Sequence, residues 1–266
     1  MAFSIFATMK LPFYKYQGTG NDFVLVDNRQ NIFPKNDTKL IAHLCDRRLG
    51  VGGDGMILIE EDADVDFKMV YFNADGKEST MCGNGGRCIV QFAKFLNVIS
   101  DKTTFNAVDG LHTAHIINDE VALGMINVSE VKKAEKGVFL NTGSPHHIQM
   151  VKNIDVFNVF DTGRNIRNEI YGADGANVNF VEQISENEFK VRTYERGVED
   201  ETLSCGTGVT AVAIAMTELE LTNEATVTLQ TLGGVLKVSF TKMDGFYKNV
   251  VLQGPALQVF KGEIII

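Results

Sequence analysis

At 266 residues, 44% hydrophobic and 22% charged, the chain carries enough apolar material for one large core or two ordinary ones. Its formal charge of -9 argues against a nucleic acid or an anionic membrane as partner, because both ask for clustered Lys and Arg. No apolar run approaches the roughly 20 residues that span a bilayer. Residues 1–8 lack the basic start and apolar length of a signal peptide and read as a short leader before a start at Met9.

In chain order, β-branched and aromatic residues bounded by Gly, Asn or Asp predict a strand at 23–26. A helix follows, with Leu40, Ile41 and Leu44 on one face and Asp37 or Thr38 as its cap. Strands at 56–60 and 67–72 lead to a second helix marked by Ile89, Phe92, Ala93 and Leu96. After a strand at 121–126 and a helix around 156–166, strands at 178–184 and 189–194 precede a helix carrying Val209, Val212, Ala213 and Met216. Strands at 227–230, 235–240 and 249–252 complete a mixed α/β chain with many strands and few helices. No linker or low-complexity segment interrupts it.

There are four cysteines, Cys45, Cys82, Cys88 and Cys205. That is too few for a secreted disulfide scaffold of this size, none shows CxxC spacing, and only His146 and His147 of the five His are adjacent. A cytoplasmic chain with reduced thiols and no metal site is the expectation. Free cysteines are ordinarily buried small hydrophobes, and Cys45 and Cys88, inside helix patterns, are read so.

Cys82 and Cys205 differ because their surroundings repeat. Glu78-Ser79-Thr80-Met81-Cys82-Gly83-Asn84-Gly85 and Glu201-Thr202-Leu203-Ser204-Cys205-Gly206-Thr207-Gly208 both fit E-[ST]-x-x-C-G-x-G. Each follows a strand and runs into an amphipathic helix, and the two lie close to half a chain apart. A duplicated unit explains this better than chance. Helix N-termini carry N–H groups without intrahelical partners, so each unit offers a carboxylate site beside a thiol whose pKa the same groups lower towards neutrality. Two such units on one pocket would flank an α-carbon with two sulfurs. One, as thiolate, would remove the α-proton while the other, as thiol, delivers a proton to the opposite face. Glu78 and Glu201 are either loop-ordering residues or participants, a choice the residues leave open.

The chain resembles the diaminopimelate epimerase family from about Met9 to its end. The resemblance rests on Gly18-Thr19-Gly20-Asn21-Asp22-Phe23, Phe72-Asn73-Ala74-Asp75-Gly76, Met81-Cys82-Gly83-Asn84-Gly85-Gly86-Arg87-Cys88, Asn177-Val178-Asn179-Phe180 and Tyr194-Glu195-Arg196-Gly197, together with Cys205-Gly206-Thr207-Gly208. It implies two pseudo-symmetric α/β lobes, each a curved, mostly antiparallel sheet around a central helix, with the site in the cleft between. One lobe would be residues 1–124 with 254–266 and carry Cys82; the other, residues 125–253, would carry Cys205. The final strand would return to the first lobe.

The implied activity is cofactor-free interconversion of LL- and meso-diaminopimelate, in lysine and peptidoglycan precursor synthesis, with a homodimer as the family-level expectation. Cys82 and Cys205 would be the bases. Backbone at Gly83, Asn84, Gly206 and Thr207 would hold the reacting carboxylate, and Asn21, Asn73, Asn177, Glu195 and Arg196 the distal amino-acid end. His146 would orient the site. The chain departs from the family at Ser144, where Asn is frequent, and at Gly55, where some members carry Gln.

Other readings are weaker. Gly50-Val51-Gly52-Gly53-Asp54-Gly55 fits GxGxxG but follows a helix and enters a strand, the reverse of a dinucleotide fingerprint. It reads as a helix-ending loop. A cysteine hydrolase built on Cys205 and His146 leaves Cys82 unexplained. A two-thiol racemase of proline or hydroxyproline shares the mechanism but does not need Asn73, Glu195 and Arg196 at a charged far end.

Overall fold

The computed structural model describes residues 9–266; the first eight, read above as a leader, lie outside the described residues. The first half comprises β1 (Lys10–Gly18), β2 (Asn21–Asp27), α1 (Thr38–Cys45), β3 (Gly55–Glu60), β4 (Phe67–Asn73), α2 (Gly83–Phe95), β5 (Lys102–Ala107), β6 (Gly110–Ile117) and β7 (Glu120–Gly124). The second half comprises β8 (Val131–Ala134), β9 (Gly137–Asn141), β10 (Pro145–Met150), α3 (Val159–Glu169), β11 (Asn177–Gln183), β12 (Glu188–Glu195), β13 (Asp200–Thr202), α4 (Gly206–Glu218), β14 (Thr226–Thr231), β15 (Gly234–Met243) and β16 (Phe246–Gly254). The last strand is β17 (Leu257–Ile265). Among the described residues no helix is long and apolar enough to cross a membrane.

All nine strands expected from side-chain pattern form, although β7 stops at Gly124, short of 126. Asp37 caps α1 by accepting from the N–H groups of Lys39 and Leu40. The helix expected from 156 starts later. Ile154–Val156 is a 3-10 turn and Phe157 is extended, so the cap falls to Asn158, which accepts from Asp161 N–H. The Gly50–Gly55 segment closes the end of α1, with the N–H groups of Val51 and Gly52 on Leu44 C=O, and feeds β3.

Strand pairing repeats along the chain. In the first half β17–β1 and β1–β2 are antiparallel, β2–β3 parallel, β3–β4 antiparallel, β4–β5 parallel, and β5–β6 and β6–β7 antiparallel. In the second half β8–β9, β9–β10, β10–β11, β11–β12, β12–β14, β14–β15 and β15–β16 follow the same order of senses. Every parallel step is spanned by a helix, as a parallel crossover requires. The halves join where β7 pairs with β16, each the last strand of its set. On this correspondence β17 is the counterpart of β8, so the chain's far end supplies the first half's outermost strand.

The curved sheets enclose α2 and α4. Gly83 to Val90 of α2 are all buried, as are Gly208 to Met216 of α4, so these helices have almost no solvent face. Phe23, Ile57, Phe67 and Met69 pack with Ile89 and Phe92 of α2. Val181, Phe189, Val191 and Leu229 pack with Val209, Val212 and Met216 of α4. Each such side chain stabilises by about 1.5–3 kcal/mol on burial, which holds both helices, and hence their N-termini, rigidly.

Candidate active site

Cys82 and Cys205 are the N-cap residues of α2 and α4, with extended backbones at φ −95° and −125°. Neither side chain makes a capping hydrogen bond of ordinary geometry to its own helix. Backbone N–H groups of Asn84 and Gly85 point at the Cys82 sulfur, and that of Gly208 at Cys205. The two helices meet N-terminus to N-terminus. A Cβ on Gly83 would lie 3.4 Å from Gly206 Cα, and one on Gly206 3.2 Å from Gly83 Cα, with Leu252 Cδ2 3.1 Å from either. Only two glycines allow this approach. Gly206→Ala is expected to force the termini apart and lower kcat/KM about 10- to 100-fold at near-normal KM, since small misplacement of reacting groups is costly; steady-state kinetics check it.

The thiols lie close enough for Cys205 to feel the charge of Cys82, and both feel Glu195. Burial pushes both thiols above their ordinary value, against the opposing pull of the N–H groups. This reverses the expected lowering. The amino end of each helix is present as anticipated, but desolvation of the two sulfurs outweighs it.

On the Cys82 side, Asn21 Oδ1 accepts from the Cys82 thiol at 3.6 Å and from Asn84 Nδ2 at 3.3 Å. Asn84 Nδ2 also reaches Ser204 O and Oγ, both at 3.2 Å. Ser204 Oγ donates to Thr19 O at 2.9 Å. Thr19 and Gly20 form the β1–β2 turn with φ of 51° and 87°, the left-handed pair that a two-residue hairpin needs. A threonine there costs strain, and its hydroxyl links Ser204 to Arg87 across the halves.

On the Cys205 side, the sulfur lies 3.4 Å from Thr207 Oγ1, which lies 2.9 Å from His146 Nε2. Asn179 Nδ2 lies 3.1 Å from His146 Nδ1, and Asn179 Oδ1 accepts from Thr193 Oγ1 at 3.0 Å. Asn177 Nδ2 also lies 3.5 Å from Nε2, but the shorter amide contact is at Nδ1; with Nδ1 accepting, Nε2 carries the hydrogen and donates to Thr207, leaving the Thr207 hydroxyl free to donate to sulfur. Burial, with the Arg196 charge nearby, lowers His146 to about 3, so the ring is neutral. Asn177 Oδ1 accepts from Arg196 N–H at 2.8 Å.

Glu195 is half-buried, and burial raises its pKa. Asn73 and Arg196 stand at exposed positions, with the Arg196 guanidinium on Asp174 O at 2.7 Å. Glu201 resolves as a loop-ordering residue, bound by Arg192 through two contacts of 2.6 Å. Its counterpart Glu78 forms a single bridge to Phe72, as Glu201 pairs with Tyr194. Cys45 and Cys88 are buried in the core.

Four contributors escaped sequence reasoning. Asn179 was reachable, because strand alternation puts it on the same face as Asn177. Ser204 and Arg87 sit inside the motifs but take their meaning from the opposite half. Tyr71 is the fourth. Its phenol lies within the influence of Cys82 and Glu195, burial raises its pKa, and it stays a neutral donor. A Cβ on Gly55 would lie 2.6 Å from Tyr71 Cε2, so this ring takes the room that a side chain at 55 would need.

The pseudo-symmetric fold recurs in solved structures. A phenazine biosynthesis protein of the PhzF family from Bacillus anthracis superposes with TM-score 0.78 at 15% identity, covering 97% of this chain and 100% of that one. A hydroxyproline epimerase from Agrobacterium vitis, with trans-4-hydroxy-L-proline bound, gives TM-score 0.68 at 13% identity, covering 97% and 93%. These define the architectural class. The diaminopimelate epimerase family model matches residues 13–132 and 138–258, and the chain belongs to that family. A diaminopimelate epimerase of Flavobacterium psychrophilum is 57% identical over 258 residues, 96% of this chain and 100% of that protein. Another, of Chlorobaculum tepidum, is 40% identical over 257 residues, 93% and 98% of the two chains.

Proposed function

We propose that this chain is an isomerase that interconverts LL- and meso-diaminopimelate through Cys82 and Cys205, without a cofactor. The observation that carries this is the meeting of two cysteine-capped helix N-termini at Gly83 and Gly206. The substrate α-carboxylate sits at that junction, bound by N–H groups of Gly83, Asn84, Gly206 and Thr207. One thiolate takes the α-proton while the opposite thiol gives its proton to the other face of the carbon. Charge and protons balance, and the two sulfurs exchange protonation states. Negative charge developing on the carboxylate is met by the same N–H groups, already oriented before reaction. The raised thiol pKa values strengthen the thiolate as a base towards a weakly acidic C–H.

Asn73, Asn177, Glu195 and Arg196 receive the distal amino-acid end, Arg196 being suited to the carboxylate and Glu195 to the ammonium. Such a site rejects proline, which leaves those groups unpaired. The hydrolase alternative loses ground because His146 is neutral and bonded to Thr207 rather than to Cys205. The working lobes are residues 1–124 with 254–266, and 125–253. A reducing cytoplasm suits free thiols. A homodimer would pair through β17, whose Leu257, Val259, Phe260 and Ile265 are 46–65% exposed.

The test is solvent deuterium incorporation at the α-carbon. Incubated in D2O, the protein should label diaminopimelate while interconverting its isomers and leave proline unlabelled. Label in proline alone would overturn the substrate assignment, and label in neither would overturn the reaction.

A further inference from the structure

Asn21 Oδ1 faces Cys82, and the amide is held in that orientation from its other end. Asn21 Nδ2 donates to Asp54 Oδ2 at 2.6 Å, and Asp54 also accepts from Asp22 N–H at 3.2 Å. Arg47 clamps Asp54 at 2.7 Å and Asp22 at 2.6 and 3.0 Å. Lys15, itself buried, pairs with Asp22 at 2.7 Å and donates to Gly52 O. At the far end of the same chain of amides, Arg87 Nη2 donates to Asn84 Oδ1 at 3.0 Å, so Asn84 must turn its NH2 towards Asn21. A cation at one end and a carboxylate at the other therefore polarise Arg87, Asn84, Asn21 and Asp54 in a single sense. Flipping Asn21 would set its oxygen against the Asp54 carboxylate and its NH2 against that of Asn84, opposing both of its neighbours at once.

We infer that Asp54, braced by Arg47, is a positioning residue for the reaction: it keeps the Asn21 carbonyl towards Cys82, so that the side chain facing this sulfur is an acceptor, which favours the thiol against the N–H groups of Asn84 and Gly85. Cys205 meets the opposite environment, because the Thr207 hydroxyl is free to donate to it. The two sulfurs thus meet different side-chain partners, an acceptor at Cys82 and a hydroxyl donor at Cys205, and the distinction is written in side chains one step removed from either.

The inference rests on the two-thiol reading but is measured without turnover. Besides Asn21, Cys82 is faced by Glu195 and Arg87, by the Tyr71 phenol, by Cys88 and by Cys205. Asp54 also bears on Glu195. Removing the Asp54 charge lets Glu195 ionise more fully, which slows both thiols and cannot mimic a selective gain at one.

Asp54→Asn lets Asn21 turn its NH2 to sulfur, which favours the Cys82 thiolate. Alkylation by iodoacetamide at pH 7.5, mapped by peptide mass spectrometry, should then quicken about tenfold at Cys82 and stay within twofold at Cys205. The kcat/KM for diaminopimelate should fall over the same comparison. The Arg47–Asp54 pair is exposed, with 58% and 43% of the side chains accessible, so the substitution should leave the melting temperature nearly unchanged. Arg47→Gln, a surface change that only loosens the clamp, should move the Cys82 to Cys205 rate ratio in the same direction by a smaller factor, and it decides the matter if Asp54→Asn misfolds. A folded variant whose ratio is unchanged, or whose two cysteines speed or slow together, overturns the inference. Absence of α-hydrogen exchange in the unmodified protein would instead overturn the reaction on which it rests.

Discussion

Cys205→Ala should abolish interconversion of the diaminopimelate isomers, lowering kcat/KM by about 1,000-fold or more, and Cys82→Ala should do the same. The demand for both is geometric. Inversion needs a proton removed from one face of the carbon and returned to the other, and each sulfur is fixed to its own helix. Neither helix can slide to the opposite face, because Gly83 and Gly206 are in contact and both helices are sealed inside their sheets. Since the thiols act as a unit, the double variant should lose no more than either single one. The substitutions are small and the helices keep their packing, so folding should survive, which circular dichroism checks. Measurement is by isomer-resolved chromatography in both directions. A Cys82→Ala protein retaining a tenth of the activity would leave Cys205 as sole actor and remove the two-base mechanism.

How much of this was readable beforehand varies with the range of the interaction. The Cys-Gly-x-Gly copies are local, and so are the caps and glycines that start α2 and α4; both copies stand at the helix starts where the pattern put them. Strands with an apolar face, such as β3 and β12, announced themselves. Strands β1, β6 and β10 did not, because Lys10-Leu11-Pro12, Gly110-Leu111-His112 and Pro145-His146-His147 look like loop segments until a partner strand satisfies their backbone. The matched pairing order of the halves is likewise invisible in pattern, since it depends on which strands meet. The thiol pKa was misjudged for the same reason. The N–H donors that lower it belong to the adjacent helix turn, whereas the desolvation that raises it arises only when the sheets and helices pack around the sulfurs. Asn21 was assigned from its motif to the distal end of the substrate, and its contacts with Cys82 and Asn84 emerge only when the β1–β2 turn is packed on α2.

Arg87→Met should destabilise the protein by about 3 kcal/mol, read as a lower urea midpoint at unchanged slope. Arg87 is fully buried and has no carboxylate partner among the described residues. Its guanidinium instead donates to neutral acceptors: Asn84 Oδ1 at 3.0 Å, Thr19 Oγ1 at 3.1 Å, and the carbonyls of Gly83 and Pro255 at 3.3 Å. Burial lowers its pKa, the sign of a cation held at a cost. Two effects therefore oppose each other in the substitution. Losing the charge relieves desolvation, and methionine fills much of the volume, as in replaced buried ion pairs that turn out neutral or stabilising. Against this, several acceptors lose their donor in a site closed to water, at about 1–3 kcal/mol each where no other partner takes over. Thr19 has Ser204 to turn to and the Gly83 carbonyl keeps its intrahelical bond from Arg87 N–H, but the Pro255 carbonyl loses its side-chain donor and Asn84 Oδ1 is left with Thr19 Oγ1 at 3.5 Å, so the loss should win. The contacts also join residues far apart in sequence, from Thr19 through α2 to the segment leading into β17, so the damage should include activity through a misdirected Asn84. An unchanged or raised midpoint would mean that the buried charge costs as much as its four bonds return, and that Arg87 is kept to orient Asn84 rather than to hold the fold.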